Sequence, residues 1–347
     1  MNTTISSVGH QNLQLSTFNA GKEDRPHPGF LPRGEGDVAS ASCRLQLSGL
    51  AAFQRLGTGV LVGFFLLTAA LTGCSTKKEP VAQAPVVPPV APPPKPQFQE
   101  TVIDGVAGFQ DTPMQPDGQW HVHDPARPQP PIVTPGKSFS EMAPPPADAT
   151  VLFDGTDLSQ WTDRQGNPPP WTIEDGAMVS AKRDIQTTNQ FGDIQLHVEF
   201  REPTPAHGDG QGRGNSGVFM MGQFEIQVLD CYDNKTYADG ATAALYGQHP
   251  PLANACRPPG EWQTYDIFFN PPHFDTEGKL VTPAYATVVQ NGVLVQNHQA
   301  FRGATNWRSL GQYTAGGPTG PIALQFHNNA VAFRNIWVRP IAVDNEP

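Results

Sequence analysis

Basic charge is scarce in this 347-residue chain: 22 Lys and Arg stand against 32 Asp and Glu, a formal net charge of −10. From Cys74 onward the ratio is 17 to 28. That deficit argues against a nucleic-acid partner and against a polybasic contact with anionic lipid, both of which depend on clustered Lys and Arg. Cysteine is scarce too, at four residues. No Gly-rich phosphate loop and no His/Cys metal spacing occurs, so no cofactor motif is evident. A single divalent cation held by carboxylates stays open as an alternative. Sustained 3.6-residue apolar periodicity is also missing, which sets helical bundles aside. The apolar run Val60–Leu67 falls short of the roughly 20 residues that a membrane span needs.

What that run does fit is a secretory signal. It follows Arg55 and leads into Leu71-Thr72-Gly73-Cys74-Ser75, the small-residue and Cys pattern of a lipobox. Residues 1–73 therefore read as a signal region, with a polar stretch to about residue 50 that points to a true start further downstream. Cys74 is the expected lipidation site, and acylation there anchors the chain stably. Ser75 after the Cys favours an exported lipoprotein at the outer membrane, on its periplasmic face or the cell surface. Cys43 leaves with the signal. In an oxidising compartment the remaining pair, Cys231 and Cys256, is expected to form a disulfide closing the Tyr232–Ala255 segment.

Beyond Cys74, residues 74–97 are a Pro-rich tether of semi-rigid extended chain. Residues 98–146 stay Pro-rich but carry Trp120, His121, His123, Asp124 and Arg127. They read either as an extended arm laid on the next domain or as more disordered tether. The folded domain spans 147–341, and 342–347 is a tail. Its candidate strands are short and separated by turn residues: Thr172–Ile173, Ala177–Ser180, Asp193–Arg201, Val218–Met221, Phe224–Asp230, Gln263–Phe269, Ala284–Gln290, Val293–Gln296, Ile322–His327 and Val331–Arg339. Asn291-Gly292 is a strong hairpin turn, Asn328-Asn329 another, and Gly222-Gln223 reads as a two-residue hairpin turn. About 195 residues of such sequence predict an all-β, two-sheet antiparallel jelly-roll sandwich.

Strand alternation sorts the side chains by face. Phe224, Ile226 and Val228 point to a core, with Glu225 and Gln227 opposite. In Gln195–Arg201 the outward residues are His197, Glu199 and Arg201, and in Leu324–His327 they are Gln325 and His327. Placed together on one curved sheet, these would line a polar groove suited to a sugar.

The ordered motifs resemble one family. Leu152-Phe153-Asp154-Gly155 with Leu158 and Trp161, then Trp171 with Asp175-Gly176, are similar to the opening of the 3-keto-disaccharide hydrolase domain. The similarity continues through Phe191-Gly192-Asp193, Glu199-Phe200-Arg201, Gly214–Phe219, Phe224–Asp230, Ala244–Gly247, Pro250-Pro251, Gly260–Tyr265, Gly320–His327 and Phe333–Ile336. It covers nearly all of 147–341 in order. Departures are Gln263, where Asn is common after the Trp, and Met220-Met221 in place of more polar residues. The resemblance implies a concanavalin-like jelly roll acting on glycosides or disaccharides whose C3 hydroxyl has been oxidised to a ketone. A separate 3-dehydrogenase would have to supply that substrate.

A C3 ketone acidifies the C2 proton, so a base can remove it, the C1 substituent leaves, and water adds back. Such a site needs a base, donors for the enolate oxygen and an acid for the leaving oxygen. The expected base is Glu225, with His327 or Asp230 as acid. Arg201, Asn215 and Gln227 are donors to the ketone, and Gln325, Glu199 and Tyr246 complete the binding candidates. Each has a plain alternative. Glu199 and Arg201 can form a cross-strand charge ladder, Asn215 can shape a turn, and His327 can be structural. Asp230 can cap a turn or hold a cation, and Arg334-Asn335 can tie strands together. Trp161, Trp171 and Trp262 read as core; Trp120 reads as a packing anchor before a stacking platform. Two other functions compete. One is a non-catalytic surface sugar-binding module. The other is a retaining glycosidase with two carboxylates about 5–5.5 Å apart, disfavoured by the spacing Glu225, Gln227, Leu229.

Overall fold

The computed structural model describes residues 97–341. The signal region, Cys43, the Cys74 lipidation site, the tether up to residue 96 and the tail 342–347 lie outside the described residues. The rest is built from strands, with two short 3-10 turns at Gly210–Gly212 and Ala238–Gly240 and no α-helix among the described residues. It is the all-β antiparallel sandwich that the strand pattern predicts. A five-stranded sheet runs in the order Phe224–Val228, Ser216–Met220, Ala323–Leu324, Ile185–Thr187, Trp161–Asp163. An eight-stranded sheet runs Val293–Ala300, Tyr285–Gln290, Gln263–Asn270, Ile194–Arg201, Ala332–Pro340, Ala177–Val179, Thr172–Glu174, with Thr150–Phe153 also paired to Ala332–Pro340.

The core lies between the sheets, and the alternation explains its composition. Phe224, Ile226, Val228 and Val218 come from the smaller sheet, Leu196, Val198, Phe200, Tyr265, Ile267 and Phe269 from the larger, all at 1% exposure or less. The Phe224 ring meets Phe301 at 5.2 Å and Phe269 at 5.8 Å between centroids. Each such side chain stabilises the fold by about 1.5–3 kcal/mol on burial. Trp161 and Trp171 belong to this core, as expected. Trp262 does not: it is half-buried, held between the guanidinium groups of Arg201 at 4.7 Å and Arg334 at 4.0 Å.

Turn chemistry fixed most connections. Asn291 and Gly292 take φ of 50° and 83°, and Gln290 pairs with Val293. That is the left-handed pair a tight hairpin needs. The other hairpin differs from expectation by one residue. Met221 (φ 52°) and Gly222 (φ 68°) are the turn centre, and the Gln223 amide donates to the Met220 carbonyl at 3.1 Å. Met220 pairs with Phe224, so the loop is Met221-Gly222-Gln223. A non-Gly residue in the left-handed region carries a small strain, which explains why the sequence pointed to Gly-Gln instead. The Ile322–His327 segment pairs only at Ala323–Leu324.

Gln97–Pro146 lies along the sandwich. Its hairpin pairs Glu100–Ile103 with Val106–Phe109. Val122 and His123 are fully buried, and the Val133 amide donates to the Asn254 carbonyl at 2.9 Å. Further on, the Ser140 hydroxyl donates to Asp266 at 2.6 Å and Ser138 meets Thr264 at 2.9 Å.

That last contact covers the outward face of the Ile194–Arg201 strand, which the sequence had placed in the groove. His197 and Glu199 are fully buried there. His197 Nδ1 lies 2.8 Å from Asp266, Arg334 Nε donates to Glu199 at 2.7 Å, and Asn335 donates to the same carboxylate at 2.9 Å. The polar positions therefore belong to two different sheets. Alternation gives the side of a strand, not the sheet it joins.

Cys231 and Cys256 are free, buried thiols in place of the expected disulfide. Each sulfur already has a main-chain partner: the Thr242 amide donates to Cys231 Sγ at 3.2 Å, and Cys256 Sγ donates to the Leu229 carbonyl at 3.6 Å. Leu229 and Ala241 pack with both.

Candidate active site

A cavity of about 560 Å³ opens on the outward face of the five-stranded sheet. Its floor follows from the two-residue repeat of the hairpin: Phe219 on one strand, Glu225 and Gln227 on the other, with Gln325 and His327 beyond the Ala323–Leu324 pairing. Gly217 makes room for the carboxyl, because a Cβ there would stand 2.4 Å from Glu225 Oε1. Asn215 enters beside it, its amide donating to the Gln211 carbonyl at 2.8 Å. The loop at Thr305–Trp307 closes one side, since the Glu225 amide donates to Thr305 Oγ1 at 3.0 Å and the Thr305 amide to the Gln223 carbonyl at 2.8 Å.

Glu225 is the one carboxyl lining the cavity among the described residues. It is 4% exposed. Burial, reinforced by the Asp184 charge, pushes its carboxyl up to about 8. Among the described residues no cation pairs with it. Turned to satisfy its hydrogen bonds, the Gln227 amide donates to Glu225 Oε1 at 3.1 Å and to the Ser216 carbonyl at 2.9 Å. A carboxyl titrating near neutral pH is a much stronger base than a surface glutamate, in exchange for a smaller ionised fraction.

Opposite stand two phenols. Tyr237 Oη and Tyr246 Oη are 2.8 Å apart, so one hydroxyl can donate to the other and leave a proton facing the cavity. Burial raises both phenols above their ordinary value, which keeps them neutral donors. Gly240 is required here: a Cβ would lie 2.1 Å from the Tyr237 ring. Behind Tyr237 the His123 ring stacks at 4.1 Å, held by Asp239 at 3.2 Å.

Of the residues singled out from sequence, Glu225, His327, Asn215, Gln227, Gln325 and Tyr246 meet around this cavity. Three do not. Glu199 belongs to the covered network on the other sheet, and Arg201 lies on Trp262. Asp230, at the far end of its strand, accepts from Arg213 Nε at 2.7 Å and from the Tyr232 amide at 3.1 Å, which is the turn-capping alternative. Sequence reasoning missed Gln211, Tyr237, Thr305, Asn306 and Trp307, all in segments without strand periodicity. The Gly240 requirement beside Tyr237 was the one local signal available.

This β-sandwich, with one buried carboxyl and a set of neutral donors in an open cleft, is a carbohydrate-active protein by the family it matches. The chain belongs to the 3-keto-disaccharide hydrolase family: the model for the 3-keto-alpha-glucoside-1,2-lyase-like domain matches residues 148–339. No curated protein matches the chain. Among solved structures it is similar to a candidate glycosyl hydrolase from Parabacteroides distasonis ATCC 8503, at 46% identity and TM-score 0.56, covering 62% of this chain and 93% of that one. A second such protein from the same organism shares 20% identity at TM-score 0.41, covering 56% and 94%. Carbohydrate-binding module CBM66 from Bacillus subtilis follows at 8% identity and TM-score 0.29, covering 52% and 95%.

Proposed function

We propose that this protein cleaves glycosides or disaccharides carrying a ketone at C3, with Glu225 as the base. The carboxylate takes the C2 proton, the C1–O bond breaks, and the leaving oxygen acquires a proton to depart as an alcohol. Water then adds across the resulting enone, hydroxyl at C1 and proton at C2. His327, exposed at the cavity edge, serves as acid for the leaving oxygen. Tyr246, Tyr237 and the side-chain amides of Asn215 and Gln325 hold the ketone oxygen as it gains charge, while the Gln227 amide stays on the Glu225 carboxyl. Such donors are neutral, so the enolate is stabilised without a permanent cation that would hold Glu225 low.

The observation carrying this reading is the solitary carboxyl. Glu225 is the only carboxylate lining the cavity among the described residues. A retaining glycosidase needs a second about 5–5.5 Å away; abstraction of an acidified C–H needs one strong base. On this reading the protein acts as an exported lipoprotein anchored through Cys74, downstream of a separate dehydrogenase that makes the 3-keto sugar.

The test is incubation of the purified protein with 3-keto-trehalose and with native trehalose, following sugar release and enone absorbance. Cleavage of the keto sugar alone, abolished in Glu225→Gln, is the expected result. Binding of sugar without cleavage of either would make it a surface binding module, and equal cleavage of both would make it an ordinary glycosidase.

A further inference from the structure

Trp307 stands apart from every other tryptophan here. It lines the same cavity as Glu225, yet 59% of it is exposed. An indole left that open at a cleft usually has no packing reason to be ordered. This one is braced. The Arg308 guanidinium lies 3.4 Å from the ring centroid and covers one face. Arg308 is itself held over Phe109 at 5.0 Å and Phe98 at 5.4 Å. Phe109 also meets Trp307 edge-on at 6.5 Å. On the cleft side, Asn306 precedes Trp307 in the chain and lines the same wall. Phe98 and Phe109 both precede residue 148, where the matched family domain begins. The platform and the Arg308 on it come from the domain, while the aromatic rings that back Arg308 come from the N-terminal segment.

Resting on the reading of the cavity as the site of C1–O cleavage, we propose that Trp307 is the platform of a leaving-group subsite. It stacks the ring attached through the C1 oxygen: a pyranose, through its C–H face, or an aromatic aglycone. Phe109 is a positioning residue for that platform. The cavity has Glu225 and the amides at its floor and a flat, apolar ring at its lip. The reacting sugar needs the polar floor, and the group that departs meets the indole. A cation stacked on the ring fixes its plane, so little side-chain freedom is lost when a ligand ring arrives. Trp307 makes no contact with the reacting atoms and is a binding residue only.

The test compares two substrates on the full-length protein: a 3-keto-disaccharide, and 3-keto methyl glucoside, whose methoxy leaving group cannot reach the platform. Trp307→Ala should lower kcat/KM for the disaccharide about tenfold or more, mostly through KM, with under about twofold change for the methyl glycoside. Trp307→Phe should recover most of the loss, and Phe109→Ala should shift the same selectivity ratio in the same direction by less. Equal loss on both substrates, or no loss on either, overturns the subsite. If the wild type cleaves neither keto glycoside, the proposed reaction fails on its own, and titration with the unoxidised disaccharide decides the platform. Binding that weakens about tenfold in Trp307→Ala sustains it; binding unaffected by that change, or absent from the wild type, overturns it.

Discussion

Two glutamates on outward strand faces, Glu199 and Glu225, look alike in sequence and live under opposite conditions. Burial opposes the charge of both. Around Glu199 the donors outweigh it: His197, Asn335, the Met142 amide and Arg334 together hold the carboxyl down to about 2. Around Glu225 the neutral Gln227 amide is the one side-chain donor among the described residues, the Asp184 charge adds to burial, and the carboxyl rises to about 8. The first is a structural tie between the larger sheet and the segment that covers it. The second is a stored capacity to take a proton. Burial alone marks neither; the surplus or lack of donors decides.

The strongest way to break this contrast is to remove each carboxyl. Glu225→Gln should lower kcat on a 3-keto substrate by about 10²–10⁴-fold while leaving the protein folded. Glu199→Ala should leave the cavity chemistry within a few-fold. It should destabilise the protein by about 1–3 kcal/mol in a denaturant titration, because the buried donors around it, Asn335, His197 and the Met142 amide, lose their acceptor. A catalytic collapse in Glu199→Ala at full stability would erase the distinction.

Stability against pH sharpens it further. A carboxyl whose folded value lies above its unfolded one binds more protons when native, so Glu225 stabilises most below about 4.5 and its contribution is lost as pH rises through about 8. The slope is about 1.4 kcal/mol per pH unit at most. Thermal melts of Glu225→Gln should therefore gain on the wild type between pH 5 and 8, roughly in proportion. Glu199 runs the other way: its contribution is present above about 4.5 and is lost as pH falls through about 2. Parallel melting curves for wild type and Glu225→Gln across that range would place the Glu225 carboxyl near its ordinary value.

Turnover should follow the same titration. With Glu225 as base, the rising limb of kcat/KM climbs about tenfold per unit towards pH about 8. A profile that is flat below pH 8 would remove Glu225 from the role of base. The smallest effect expected is Tyr246→Phe, which leaves Tyr237 to donate: a loss of about tenfold in kcat with little change in melting temperature. A loss as large as that of Glu225→Gln would shift the chemical centre to the phenol pair.

Much of this was legible in the chain. The outward placement of Glu225 and Gln227 follows from alternation along Phe224–Val228, and the buried Phe224, Ile226 and Val228 leave that register no freedom. The Asn291-Gly292 turn was readable because its left-handed pair admits few residues. Of the nine candidate site residues, Glu225 and Gln227 reach the cavity from one strand, Asn215, Gln325 and His327 from the ends of its neighbours in the same sheet, and Tyr246 from a loop. Glu199 and Arg201 were misplaced because a strand's polar face does not say which sheet it joins, nor what will cover it. The Met221-Gly222 turn escaped because side-chain preference pointed one residue later.

The sequence by itself determined the fold class, the faces of its strands and the outward placement of Glu225, since these depend on neighbours two residues apart. The tertiary structure alone decided which polar face is sealed by Ser138–Met142 and which stays open. It alone brought Tyr237, Tyr246 and Trp307 to the rim, since they lie on loops whose course is set by distant contacts. A carboxyl's charge state depends on the donors that surround it, and those arrive from residues far along the chain.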